Sequence, residues 1–159
     1  MTTANSQFKR DLPAWTLTAV LVGQGLTGWI IALWPDVGPF GVYNRAVAQV
    51  FWRADTVPAE FAAYRTWIWA VTGGTLAAWS FVCAWLAAIP LRRGERWAGH
   101  AIWTSLAAWF PVDTGMSAAL GNWPNVLLNV VSLAVILVAL VWAWPKRSAT
   151  AGSLTVPAK

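Results

Sequence analysis

The chain has 159 residues, of which 58% are hydrophobic and 11% charged, with 11 Lys and Arg against 6 Asp and Glu for a formal net charge of +5. A typical soluble domain carries roughly 25% charged residues, so this composition excludes an ordinary globular fold and points to a membrane. The charges are also clustered, and the basic excess is expected from membrane topology, with no nucleic-acid partner implied.

Between the charge clusters lie uncharged stretches at 12–35, 66–91, 97–112 and 114–145. About 20 mostly apolar residues cross a hydrocarbon core about 30 Å thick as one helix. Backbone amides find no water in lipid, so helices are the expected spanning form, and the short alternating segments of a barrel do not occur. The prediction is an all-α, integral membrane four-helix bundle with spans at about 13–34, 61–89, 98–120 and 123–144.

The first span follows Lys9 and Arg10 and ends at the turn signal Pro35-Asp36-Val37-Gly38-Pro39. A cleavable signal peptide is the rival account, because Ala46-Val47-Ala48 resembles a peptidase site. The apolar run is about twice the length of a normal signal core and stops well short of that triplet, so a retained helix is expected. Glycines Gly23, Gly25 and Gly28 with Ala32 give this helix small residues for close packing, as Ala70, Gly74 and Ala78 do for the second.

Residues 39–54 place Phe40, Tyr43, Val47, Val50 and Phe51 at spacings of three or four, with Asn44, Arg45, Gln49 and Arg53 facing elsewhere. This is an amphipathic helix too short to span, expected to lie on the outer membrane surface; a lid over a pocket is the functional alternative. The second span ends at Ile89-Pro90, and Arg92, Arg93 and Arg96 separate it from the third. Pro124 suits the first turn of the fourth, where its missing N–H is unpaired in any case. Lys146 and Arg147 follow, and the tail 148–159 lacks an apolar face and is expected to be disordered. Residues 1–147 then form a single transmembrane domain. The positive-inside rule puts all three basic groups, and both termini, in the cytoplasm.

Of the 14 tryptophans, those near span ends, such as Trp15, Trp34, Trp123 and Trp144, are expected as interfacial anchors. Deeper ones, including Trp69, Trp79 and Trp109, can pack the core, face lipid or line an apolar site. Cys83 is the only cysteine, which excludes an internal disulfide.

The stretch WFPVDTGMSAALGNWPN, 109–125, holds an acid where lipid is expected. Asp113 and Arg65 fall at similar depth on consecutive antiparallel spans, and an unpaired ion there costs several kcal/mol. The two are therefore expected to pair, with Thr66, Thr114 and Ser117 around them and with Asn125 and Asn129 presented four residues apart on the fourth span. Pro111 cannot bond the carbonyl of Ala107, so the third span is expected to loosen there. This polar centre either fixes helix register or binds the polar end of a lipid- or quinone-like molecule. His100 has no second histidine or cysteine cluster beside it, so a metal site is not expected, and an axial pigment ligand ranks behind a headgroup contact.

The run 65–129 resembles a group of small bacterial four-helix membrane proteins without an assigned activity. The resemblance rests on Arg65 before Gly73-Gly74, on the RRGERWA turn, and on Trp109, Phe110, Asp113, Thr114, Ser117, Gly121 and Asn125. It implies a bacterial inner-membrane location and brings no ligand, cofactor or catalytic residue with it. Two function classes stay open. One is a non-enzymatic protein, either an accessory subunit of a larger membrane complex or a binder of an apolar or amphipathic ligand. The other is a small membrane enzyme or proton-coupled carrier acting at an Arg65/Asp113 centre. Membrane lipids are the expected partners in both, with self-association or a larger complex possible through the outward helix faces.

Overall fold

The structure, a computed structural model, describes residues 2–145. The predicted tail 148–159 and the Lys146-Arg147 pair lie outside them, as do the side chains of Lys9 and Arg10. The described chain is all-helical, 85% helix with no strands. Its helices are α1 (Thr2–Leu33), α2 (Pro39–Trp52), α3 (Ala62–Leu86), α4 (Arg96–Ala119) and α5 (Trp123–Ala143).

Three segments, Asp11–Leu33, Ala59–Leu91 and Trp123–Ala143, are long and apolar enough to cross a membrane. This is consistent with a membrane protein. The four-span expectation is met only in part: α4 has 24 residues but is not among the three. Its composition gives the reason, because Arg96, His100, Asp113 and several tryptophans dilute its apolar residues.

Local chemistry sets the boundaries. α2 begins on Pro39, whose fixed φ suits a first helical residue, after Gly38 at φ 57°. It ends where Arg53 turns left-handed at φ 52° and its N–H returns to the carbonyl of Gln49. Beyond α3 the helix widens into a π-helical turn, Ala87–Leu91, around Pro90, which has no N–H for the usual bond one turn back. A four-residue hinge, with Gly94 at φ 86°, reverses the chain into α4. α4 stays helical through Pro111, so the loosening expected there does not interrupt it.

The four long helices pack in the order α3, α1, α5, α4. α1 and α3 make the closest approach. A Cβ on Gly28 would stand 2.6 Å from the carbonyl oxygen of Gly73 and 2.8 Å from the nitrogen of Ala77. A Cβ on Gly73 would run into the Gly28 carbonyl and Ala32. The predicted small face of α1 is used at Gly25, Gly28 and Ala32. On α3 the face is the neighbouring one: Gly73 and Ala77 are buried while Ala70, Gly74 and Ala78 are exposed.

The bundle has two dissimilar ends. Toward one, Leu17, Leu21, Ala87, Leu91, Ile102, Leu106, Ile136 and Leu140 form a closed apolar core. There Arg92 lies 4.9 Å over the Trp15 ring and 3.8 Å from Asp11. Toward the other, α2 crosses the helix ends and the buried groups become polar, among them Asn44, Ser117, Asn122 and Asn129. Asn44 departs from the predicted polar face of α2. It turns inward and donates to the Pro35 carbonyl at 2.7 Å and to Asp36 at 3.0 Å, which fixes the turn that starts the helix. Phe51, predicted on the apolar face, is 43% exposed.

Gly28→Ala should lower stability by about 1–3 kcal/mol because its Cβ meets backbone, which cannot yield by a rotamer change. Gly74→Ala, with no atom within 4 Å of its Cβ position, should leave stability within about 0.5 kcal/mol. Tryptophan fluorescence during SDS-induced unfolding of both variants checks the contrast.

Candidate functional site

Asp113 lies about 9 Å, at about 1.5 Å per residue, before the end of α4. α4 places Trp109, Asp113 and Ser117 four residues apart, hence one above another on a single face. The Trp109 indole donates to Asp113 Oδ2 at 3.0 Å, and the Ser117 hydroxyl donates to Oδ1 at 3.3 Å. Gly121, at φ 72°, turns the chain so that α5 comes back along this face. The Asn125 amide then donates to Asp113 Oδ1 at 2.8 Å and to Ser117 Oγ at 2.7 Å.

α2 closes the cluster from above, with the Tyr43 hydroxyl donating to Asn125 Oδ1 at 2.8 Å. Every bond runs in one sense: from Tyr43 to Asn125, and from Asn125, Ser117 and Trp109 to the carboxylate. Burial first, and then the nearby Asp113 charge, push the Tyr43 phenol up to about 12, with the Asn122 side chain opposing them. Tyr43 thus remains a donor throughout the physiological range. Asn122 is 9% exposed, and its side-chain oxygen is buried with no hydrogen-bond partner among the described residues. Its backbone N–H is held by the Ser117 carbonyl at 2.8 Å, which fixes it beside the cluster.

Arg65 does not join this group, and the expected Arg65–Asp113 pair is corrected. Both guanidinium nitrogens reach Asp36, at 3.0 Å to Oδ1 and 2.6 Å to Oδ2. Arg65 stands in the first turn of α3, and its long side chain extends away from the bundle toward the α1–α2 turn, where Asn44 already positions Asp36. A fork-shaped cation meets a carboxylate with both arms there, and Asp113 makes do with neutral donors. Thr66 is also apart, bonded to the carbonyl of Ala62 at 3.1 Å.

The other expected residues are brought together. Ser117 and Asn125 contact Asp113 directly, while Thr114 accepts from the Asn129 amide at 3.2 Å and forms a second α4–α5 link. Trp109 and Tyr43 are cluster members that sequence reasoning did not assign. The spacing of four between Trp109 and Asp113 was a readable signal; nothing in the sequence tied Tyr43 to Asn125, 82 positions away.

No family model, no curated protein and no solved structure matches the chain. The site must be read from its own chemistry.

α3 contributes no hydrogen bond to the cluster. It meets α4 sparsely, with the Trp79 and Trp109 rings 6.3 Å apart and Cys83 Sγ 3.9 Å from Ser105 Oγ. At its α2 end it leans on Tyr43 instead, through Trp69 at 5.9 Å. Asp113, Trp79, Trp109 and Trp69 are all half-buried. The result is an aromatic seam between α3 and α4 with hydrogen-bonding groups along one edge. Within the described residues no group of three His, Cys, Asp or Glu is placed to hold a metal ion. His100 lies at the other end of α4, edge-on to Trp144 at 5.1 Å.

Two outcomes follow. Asn125→Ala should cost about 1–3 kcal/mol, since it removes a donor from the carboxylate and the acceptor of Tyr43 together. Tyr43→Phe should cost less, about 0.5–1.5 kcal/mol, and denaturant titration of the two variants checks the order. The Asp36 carboxyl is held below its ordinary range, first by the hydrogen bond from Arg65. A lowered folded value gives stability that is present above the unfolded carboxylate range and lost as pH falls through the folded value. Arg65→Gln should therefore lower the melting midpoint at pH 6 by an amount worth about 0.2–1 kcal/mol. That difference should shrink as pH drops below about 4.

Proposed function

We propose that the chain is a four-span protein of a bacterial cytoplasmic membrane, with both termini inside, and that it binds an amphipathic small molecule without transforming it. α4 serves as the remaining span because its length suffices and its one acid, Asp113, is met by donors from α4 itself and from α5. The orientation follows the basic residues: Arg92, Arg93 and Arg96 gather at one end, and α2 with the Asp36–Arg65 pair lies at the other.

The observation that carries the binding reading is the aromatic seam between α3 and α4, bordered by Asp113, Asn125 and the unpartnered Asn122 oxygen. Burying an acceptor without a donor costs about 1–3 kcal/mol, and a ligand hydroxyl or N–H that displaced the packing over this closed-off oxygen would recover that cost. Its apolar body would lie along Trp69, Trp79 and Trp109, with Tyr43 of α2 closing over the polar end. Enzymatic or proton-carrier chemistry at an Arg65/Asp113 centre loses its support, since the cation is engaged by Asp36. Acid–base work also needs a positioned donor and acceptor beside the substrate.

An accessory-subunit role is the second reading, favoured by the sparse α3–α4 contact. A helix of another protein, or of a second copy, would then occupy the seam. Native mass spectrometry of the protein taken out with its surrounding lipid patch separates the two. The expected result is a reproducible small-molecule mass that is lost in Trp79→Ala and weakened in Asn122→Ala, with folding retained. A stoichiometric protein partner, with no small molecule, would replace the binding reading with the accessory one.

A further inference from the structure

The arginine-rich end of the bundle, away from the Asp113 cluster, presents a second surface. Trp144, just past α5, packs its ring onto bare backbone of α4: a Cβ on Gly99 would stand 2.7 Å from Trp144 Cζ3. With the indole seated there, Trp103, Val141, Trp142, Trp144 and Pro145 line an open groove of about 460 Å³ between the start of α4 and the end of α5.

Cationic and polar groups rim the same indole. The Arg96 guanidinium lies 5.8 Å over the Trp144 ring, and the His100 ring meets it edge-on at 5.1 Å. Arg96 and His100 are both exposed. Arg92 has Asp11 as its acidic neighbour, whereas no carboxylate lies within 4.0 Å of Arg96 among the described residues. An apolar groove thus runs away from the helix ends, and a guanidinium with no acidic partner among the described residues stands over Trp144, one of its walls.

We propose that this groove binds one anionic phospholipid of the cytoplasmic leaflet, an acyl chain lying along Trp103, Val141 and Trp142 and the phosphate meeting Arg96 beside His100. Charge complementarity selects this occupant. A zwitterionic lipid would bring its own cation to Arg96 along with the phosphate and so neutralise it less, and a free anion would meet Arg96 and leave the groove empty. Basic pockets between helices on the cytoplasmic side recognise anionic headgroups in this way. The leaflet assignment rests on the four-span orientation proposed above; the groove and its cation do not.

The test is native mass spectrometry of the protein released from vesicles of equimolar phosphatidylglycerol and phosphatidylcholine. One phosphatidylglycerol should be retained in preference to phosphatidylcholine. Arg96→Gln should reduce the preference about fivefold, one basic contact near the surface being worth about that factor. Trp103→Ala should reduce retention of both lipids, and Gly74→Ala, at an open position on α3, should change neither. Equal retention of the two lipids, or a preference unaltered in Arg96→Gln, would overturn the proposal. So would displacement of the lipid by soluble glycerol phosphate at low millimolar concentration, which would make the site one for a free anion. Labelling of Arg93→Cys in intact cells by a membrane-impermeant maleimide would overturn the orientation alone and leave the lipid result standing.

Discussion

The contact between the backbones of α1 and α3 at Gly28 and Gly73 constrains the rest of the molecule. Two helices that approach this closely can do so only where neither carries a side chain, and in lipid such packing contacts replace the hydrophobic drive available in water. Once α1 and α3 are locked on one flank, α1 receives α5 on its other flank through its remaining small and aliphatic positions. α4 then has α5 as its main neighbour. It touches α3 at the π-helical turn and in passing at Trp79 and Cys83, and the seam between α3 and α4 is a by-product of how tightly α1 and α3 fit.

The position of α4 explains why the polar residues are where they are. With α5 as its main support, α4 is joined to it by the Asp113, Ser117 and Asn125 group and by the Thr114–Asn129 link in one half, and by Ile102 and Leu106 against Ile136 and Leu140 in the other. The carboxylate acts as a common acceptor that aligns donors from the same helix and from its neighbour, without needing an opposite charge. Directed bonds of this kind fix register, which apolar side chains sliding on one another do not.

Much of the helical layout was legible because the uncharged stretches are long and punctuated by Pro, Gly and Arg. The partner of Arg65 was not. Depth along a helix is readable from residue count, but direction of a long flexible side chain is not, and Asp36 sat in a stretch that the sequence marked only as a turn. The packing face of α3 failed for a related reason. Gly73 and Gly74 are adjacent, both belong to a small-residue repeat, and only the shape of α1 decides between them. Asn44 was misplaced because its polarity suggested solvent, whereas the exposed carbonyl of Pro35 requires a donor from inside the turn. Asn125 and Asn129 both face α4, since a separation of four leaves little choice of face. The thinner apolar content of α4 was also present in the sequence, and it sets that helix apart from the other three long ones.

The polar links divide by distance along the chain. Asp36 and Arg65 are 29 positions apart, and Asp113 and Asn125 only 12, while Tyr43 to Asn125 spans 82. Each half of the molecule therefore completes its own costly polar contacts before it needs the other. During synthesis, the segment from α1 to α3 can settle as a closed unit with Asp36 neutralised, and α4 with α5 can follow as a hairpin that carries its acid already solvated by its own side chains. Apart from the weak Cys83–Ser105 contact, only the Tyr43 hydroxyl must wait for the second unit to arrive, so the late step of assembly can be a docking of two finished pieces and not the insertion of a bare charge.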